Sequence, residues 1–70
     1  METKKGIINR IISSRGFGFI KQDNGEILFF HAIGVCSPTF EELREGMPVE
    51  FTITTDMLTG KERAIGVVAV

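Results

Sequence analysis

The chain has 70 residues, a single cysteine and a formal net charge of −1, with 43% hydrophobic and 24% charged residues. This is one domain, spanning 1–70, too rich in apolar residues for a disordered chain and short enough that its stability is modest. Cys36 alone can build neither a disulfide framework nor a zinc site, and apolar runs as short as Val67–Val70 supply neither a membrane helix nor a secretory signal core.

The expected location is therefore the cytoplasm, with no membrane partner, no cofactor and no metal. Charge is uneven along the chain. Residues 1–21 hold Lys4, Lys5, Arg10, Arg15 and Lys21 against Glu2, whereas the remainder holds Arg44, Lys61 and Arg63 against eight acids. That distribution fits a basic patch on one part of the surface, and fits equally an ordinary mixed surface.

Ile7, Ile8, Ile11 and Ile12 lie in a β-branched stretch that ends at Ser13-Ser14 and predicts a first strand. Phe17, Phe19 and Ile20 belong to a second. Asp23-Asn24-Gly25 follows as a hairpin signal, because Asn-Gly readily takes positive φ, and Glu26–His31 is the returning strand. Thr39–Arg44 is the one helical segment. Thr39 and Glu42 have the spacing of a capping box, Pro38 precedes them, Gly46 follows, and there is room for one or two turns. Val49, Phe51 and Ile53 then alternate with Glu50, Thr52 and Thr54, the period of a half-buried strand. Thr59-Gly60 marks a turn before a last β-rich segment, Arg63–Val70. Five short strands with so little helix predict an all-β fold, a small barrel whose closure removes the open edges of a sheet.

Strand alternation sorts the rings. Phe17, Phe19 and Lys21 share one face of the second strand, opposite Gly16, Gly18 and Ile20; Ile27, Phe29 and His31 share one face of the third, opposite Leu28 and Phe30. If Ile20, Leu28, Phe30, Val49, Phe51 and Ile53 fill the barrel, then Phe17, Phe19, Phe29 and His31 form an outer cluster flanked by Arg15 and Lys21. Such a surface suits base stacking with cations on the phosphates. The competing assignment inverts the faces and buries the rings, since phenylalanine is more often core than surface. It would leave Leu28 and Phe30 in water, wasteful in so small a core.

Arg15-Gly-Phe-Gly-Phe-Ile20, followed by Leu28-Phe-Phe-His31, resembles the two ribonucleoprotein motifs of the bacterial cold-shock domain family, Lys-Gly-Phe-Gly-Phe-Ile and Val-Phe-Val-His. Gly6, Phe40, Leu43, Gly46, Val49 and Phe51 continue the resemblance over nearly the whole chain. It implies a five-stranded antiparallel OB-type barrel with one short helical turn in the long loop. It also implies binding of single-stranded RNA or DNA, in transcription or translation regulation or in RNA chaperoning. By position, the ligand-contacting residues of the family fall on Arg15, Phe17, Phe19, Phe29, His31 and Phe40. An RNA-recognition motif also begins Lys/Arg-Gly-Phe, but it needs two helices and the opposite order of its aromatic motifs.

The departures from the family are specific. Its first strand usually reads Lys-Trp-Phe-Asn where this chain has Asn9-Arg-Ile-Ile12, and the chain has no Trp and no Tyr. After the histidine the family commonly has Phe-Ser-Ala-Ile, whereas here Ala32-Ile33 follows His31 directly, by substitution or by a two-residue deletion. The expected platform is thus reduced. Arg10 is the residue expected to compensate, because guanidinium stacks on bases and pairs with phosphate.

His31 is read as a stacking ring and Cys36 as a loop thiol without a role. Neither has the orienting partner that catalysis needs, so no enzyme and no small-molecule substrate are expected. Glu41, Glu42 and Glu45 are read as a solvated surface, and Ile11 or Ile12 as a partly exposed residue that could mark self-association. The expected function is single-strand nucleic-acid binding of low sequence selectivity by a monomer or weak homodimer. The alternative is a protein-interaction module on the same barrel.

Overall fold

The computed structural model describes residues 3–37 and 39–70; Pro38, expected ahead of the helical segment, and Glu2, counted in the charge of the first 21 residues, lie outside them. Six strands occur among the described residues: β1 (Lys4–Ile12), β2 (Phe17–Gln22), β3 (Ile27–His31), β4 (Val35–Ser37), β5 (Pro48–Thr55) and β6 (Glu62–Ala69). Five of them close on themselves in the order β3-β2-β1-β5-β6, with β3 returning to β6. The result is an all-β, OB-type barrel. Its neighbours run antiparallel except at the β3–β6 seam, where Phe29 faces Arg63 and Phe30 faces Ala64 in parallel. In a ring of five alternating strands one neighbouring pair has to run parallel. The three-residue β4, which includes Cys36, is a strand that the sequence pattern does not signal, and it pairs in parallel with β6 beyond the β3 contact, Val35 facing Val67.

Alternation sets the core as expected. Ile20, Leu28, Phe30, Val49 and Phe51 are buried, together with Ile8, Leu43, Ala64 and Val67. Ile53, expected inside, is only half-buried and packs against the core. Burying a side chain such as Phe30 contributes about 1.5–3 kcal/mol each, which is how so short a chain folds without cross-links. Gly18 permits the closest strand approach: a Cβ there would sit 2.5 Å from the Arg10 carbonyl oxygen and 2.9 Å from the Phe30 ring. Any larger residue would push β1 or Phe30 outward.

One local expectation is refined and one is corrected. In the β2–β3 hairpin only Gly25 takes a positive φ, +89°, while Asn24 keeps a negative one. Asn24 acts through its side chain instead, its Oδ1 accepting from the Glu26 amide at 2.9 Å, and the Gln22 carbonyl accepts from the Gly25 amide at 2.9 Å. A tight turn ending in a left-handed glycine is a common way to join two strands of a hairpin. The capping box at Thr39 does not form. Phe40–Glu42 is a single 3-10 turn, and the Thr39 hydroxyl bonds the Glu42 carboxylate at 3.3 Å rather than a backbone amide. With no second turn to propagate into, there is no α-helical N-terminus to cap. A second 3-10 turn, Ala32–Gly34, follows β3 directly.

Candidate nucleic-acid interface

The aromatic face is built by register. On β2 and β3, Phe17 pairs with His31, Phe19 with Phe29, and Lys21 with Ile27. Cross-strand partners project to the same side of a sheet. Phe17, Phe19, Phe29 and His31 are all half-buried, while Gly18, Ile20, Leu28 and Phe30 on the opposite side are buried, so the rings are outside the barrel as the alternation predicts. The three phenylalanines touch one another. Phe17 and Phe29 have centroids 5.5 Å apart at 39°, Phe17 and Phe19 5.9 Å at 87°, and Phe19 and Phe29 6.1 Å at 70°. These separations and tilts are those of favourable ring pairs, so the cluster is held in place without a ligand.

A bulge in β1 brings a third strand into the surface. Ile8 pairs with Ile20, but the next pairs are Arg10 with Phe19, Ile11 with Gly18 and Ile12 with Phe17. The extra residue, Asn9, keeps Arg10 on the same side as the rings and turns Ile11 inward, where it packs against the core. Ile12 lies beside Phe17. The two isoleucines that the sequence leaves undecided thus have opposite fates.

Three cross-strand rows result: Ile12–Phe17–His31; Arg10–Phe19–Phe29–Arg63, which crosses the β3–β6 seam; and Ile7–Lys21–Ile27. Ile7 and Ile27 are about half exposed, at 51% and 50%.

The basic residues of this face come from both ends of the chain, so the partition of charge between residues 1–21 and the rest does not by itself define the patch. Arg10, Arg15, Lys21 and Arg63 are exposed. Among the described residues none of them has an ion pair or a side-chain hydrogen bond. Arg44 differs, its guanidinium donating to the carbonyls of Glu41 at 2.7 Å and Leu43 at 2.9 Å. Unpaired guanidinium and ammonium groups beside unfilled ring faces are free to meet phosphate and base.

His31 has a second task. Its Nδ1 accepts from the Ile33 amide at 3.2 Å and caps the turn Ala32–Gly34, which fixes the ring of the residue paired with Phe17. Phe40 stands apart from the other rings. Its one ring contact among the described residues is with buried Phe30, at 6.0 Å, and it packs against the core. Glu45 is not merely solvated, since its Oε2 accepts from the Ile11 amide at 3.2 Å where β5 no longer pairs with β1. The grouping also includes residues that the sequence did not single out. Ile12 depends on the bulge and Arg63 on the seam, and neither leaves a local signal. Arg63 borders two concavities. One, of about 370 Å³, lies against Phe19, Phe29 and Lys61; the other, of about 490 Å³, lies against His31, Cys36 and Ile65. No group of three or more His, Cys, Asp or Glu side chains placed to hold a metal occurs among the described residues. No helix there is long and apolar enough to cross a membrane.

A closed OB-type barrel with outward rings on two adjacent strands defines a class of fold, and comparison with known proteins specifies it. The family described as the 'Cold-shock' DNA-binding domain matches residues 4–70. The chain is 34% identical to cold shock protein CspC of Bacillus subtilis over 71% of its own length and 76% of that protein's. It is 41% identical to the cold shock-like protein CspA of Vibrio cholerae over 69% of its length and 70% of the relative's. It is also 38% identical to cold shock protein 1 of Arabidopsis thaliana over 91% of its length, although it spans only 21% of that longer protein. The chain belongs to the cold-shock domain family, a nucleic-acid-binding family.

Proposed function

We propose that this chain binds single-stranded RNA or DNA, in the cytoplasm and without catalysis, by stacking bases on Phe17, Phe19, Phe29 and His31. Arg10, Arg15 and Lys21 engage the phosphates, and Phe40 lies at the margin of the site. The observation that carries the proposal is the mutually packed ring cluster on the outside of the barrel, in register with Arg10 and Lys21, cations that no other described residue engages. Stacking accepts every base, so the platform as a whole has low sequence selectivity, and each stacked base contributes about 1–3 kcal/mol. Weak, sequence-tolerant binding of this kind suits RNA chaperoning or transcription and translation regulation. With the first-strand aromatics of the family replaced by Arg10 and Ile11, fewer bases are held and affinity is correspondingly lower.

The test is a titration of end-labelled oligo-thymidine and oligo-uridine, followed by anisotropy at two salt concentrations. Binding at low salt that weakens at high salt is expected. No binding with tens of micromolar protein at low salt would reject the proposal. Such a result would favour the protein-interaction alternative, which has its own support in the half-exposed Ile7 and Ile27 on either side of Lys21.

A further inference from the structure

The row Arg10–Phe19–Phe29–Arg63 has a property that neither motif contains. Four strands contribute one residue each, and both ends are arginines. Adjacent strands lie about 4.8 Å apart, so the two arginine backbones are separated by roughly 14 Å with the two rings between them. Arg63 is on the ring side of β6, because its neighbour Ala64 is buried and it borders the concavity lined by Phe19 and Phe29. Neither guanidinium is engaged by another described residue. A base lying on the central rings therefore has a free guanidinium beyond each end of its plane.

Guanidinium is a fork of donors with no acceptor, and it pairs best with two acceptors side by side. Guanine presents such a pair at O6 and N7, whereas adenine has a donor beside its N7. Among pyrimidines, unpaired cytosine presents O2 beside N3, while the acceptors of uracil and thymine are separated by the N3–H donor. Unstacked single-stranded bases expose these edges to side chains. We infer that the Arg10–Phe19–Phe29–Arg63 row forms a base-reading subsite that prefers guanine over adenine and cytosine over uracil or thymine. This rests on the single-strand binding proposed above and adds one selective position to an otherwise tolerant platform. Lys61 lines the same concavity, together with the carboxylates Asp56 and Glu62.

The matched pairs make the test clean, because guanine and adenine stack with similar area, as do cytosine and thymine. Octamers of thymidine or uridine, whichever parent binds more tightly, are prepared with one central base changed to G, A or C and titrated by anisotropy. A good bidentate contact corresponds to about fivefold or more in affinity, so G should exceed A, and C should exceed the parent, by at least that factor. The double variant Arg10→Lys, Arg63→Lys keeps both charges but removes both forks. It should bring the G-to-A and C-to-parent ratios close to one, with circular dichroism confirming the fold. Equal ratios in the wild-type protein, with the parent still bound, overturn the inference and leave the stacking proposal standing. Ratios that persist in the double lysine variant overturn it as well, since the selectivity then lies elsewhere. Failure of every octamer to bind overturns both.

Discussion

Phe29 and Phe30 are consecutive in sequence and opposite in fate, which allows one substitution to serve as the control for the other. Phe30 is fully buried at 0% exposure and touches Phe40. Truncating such a ring to alanine costs about 3–5 kcal/mol, from lost transfer energy and the cavity left behind. A domain of this size has only some 4–10 kcal/mol in total. At about 4–8 °C per kcal/mol, Phe30→Ala should lower Tm by roughly 12–40 °C, leaving little folded protein at the upper end. Phe29 is half-buried on the other face, and its ring contacts are with Phe17 and Phe19. Those two contacts are worth about 0.5–1.5 kcal/mol each beyond area burial, so Phe29→Ala should lower Tm by roughly 4–24 °C and still yield folded protein at 20 °C. Its cost should appear in binding instead, as a loss of about 1–3 kcal/mol, or roughly 5- to 150-fold in Kd. The chain has no Trp or Tyr, so the assay is anisotropy of a labelled oligonucleotide, with thermal unfolding followed by circular dichroism. Two results would refute the reasoning. One is a folded Phe29→Ala that binds within twofold of wild type. The other is a Phe29→Ala that loses as much Tm as Phe30→Ala, which would make the ring a core residue.

Salt gives an independent measure of the cationic flank. If Arg10, Arg15 and Lys21 each neutralise one phosphate, log K should fall with log salt at a slope of about −2, and each substitution to glutamine should reduce that slope by about 0.7. A slope unchanged in all three variants would place the phosphates elsewhere. Gly18→Ala should destabilise by about 1–3 kcal/mol, because its methyl meets the Arg10 carbonyl oxygen at 2.5 Å; a melt like that of wild type would refute the close approach. Gly25→Ala meets no atom within 4 Å and should cost only the left-handed conformation, about 1–2 kcal/mol. Glu45→Ala removes the acceptor of the Ile11 amide at an exposed site and should cost about 0.5–1 kcal/mol, read as a small drop in Tm.

The second and third strands were legible because their information is local. Alternation of period two and a glycine-centred turn place Phe17, Phe19, Phe29 and His31 on one side and Ile20, Leu28 and Phe30 on the other, and a slip of one residue would have reversed every assignment. The Asn-Gly pair reports that a turn forms and not which residue adopts the left-handed conformation, which here is Gly25 alone. Thr39 and Glu42 had the spacing of a capping box without the helix that would use it.

Arg10, Ile11 and Ile12 show where local information stops. Their identities establish that the first-strand rings of the family are missing, but the bulge at Asn9 decides that Arg10 and Ile12 join the platform while Ile11 turns to the core. The bulge is a matter of how β1 pairs with β2 beyond Ile7, where β5 has left it, so it is not written in the strand itself. Arg63 is the further case. It lies in the acidic part of the chain, 34 residues from Phe29, and reaches the rings only because a five-stranded ring closes through the β3–β6 pair. The sequence by itself determined the five strands of the barrel, the side taken by each ring of β2 and β3, and the family. The tertiary structure alone decided which residues from distant strands complete the surface, because closure and bulges are settled by the whole barrel rather than by any one segment.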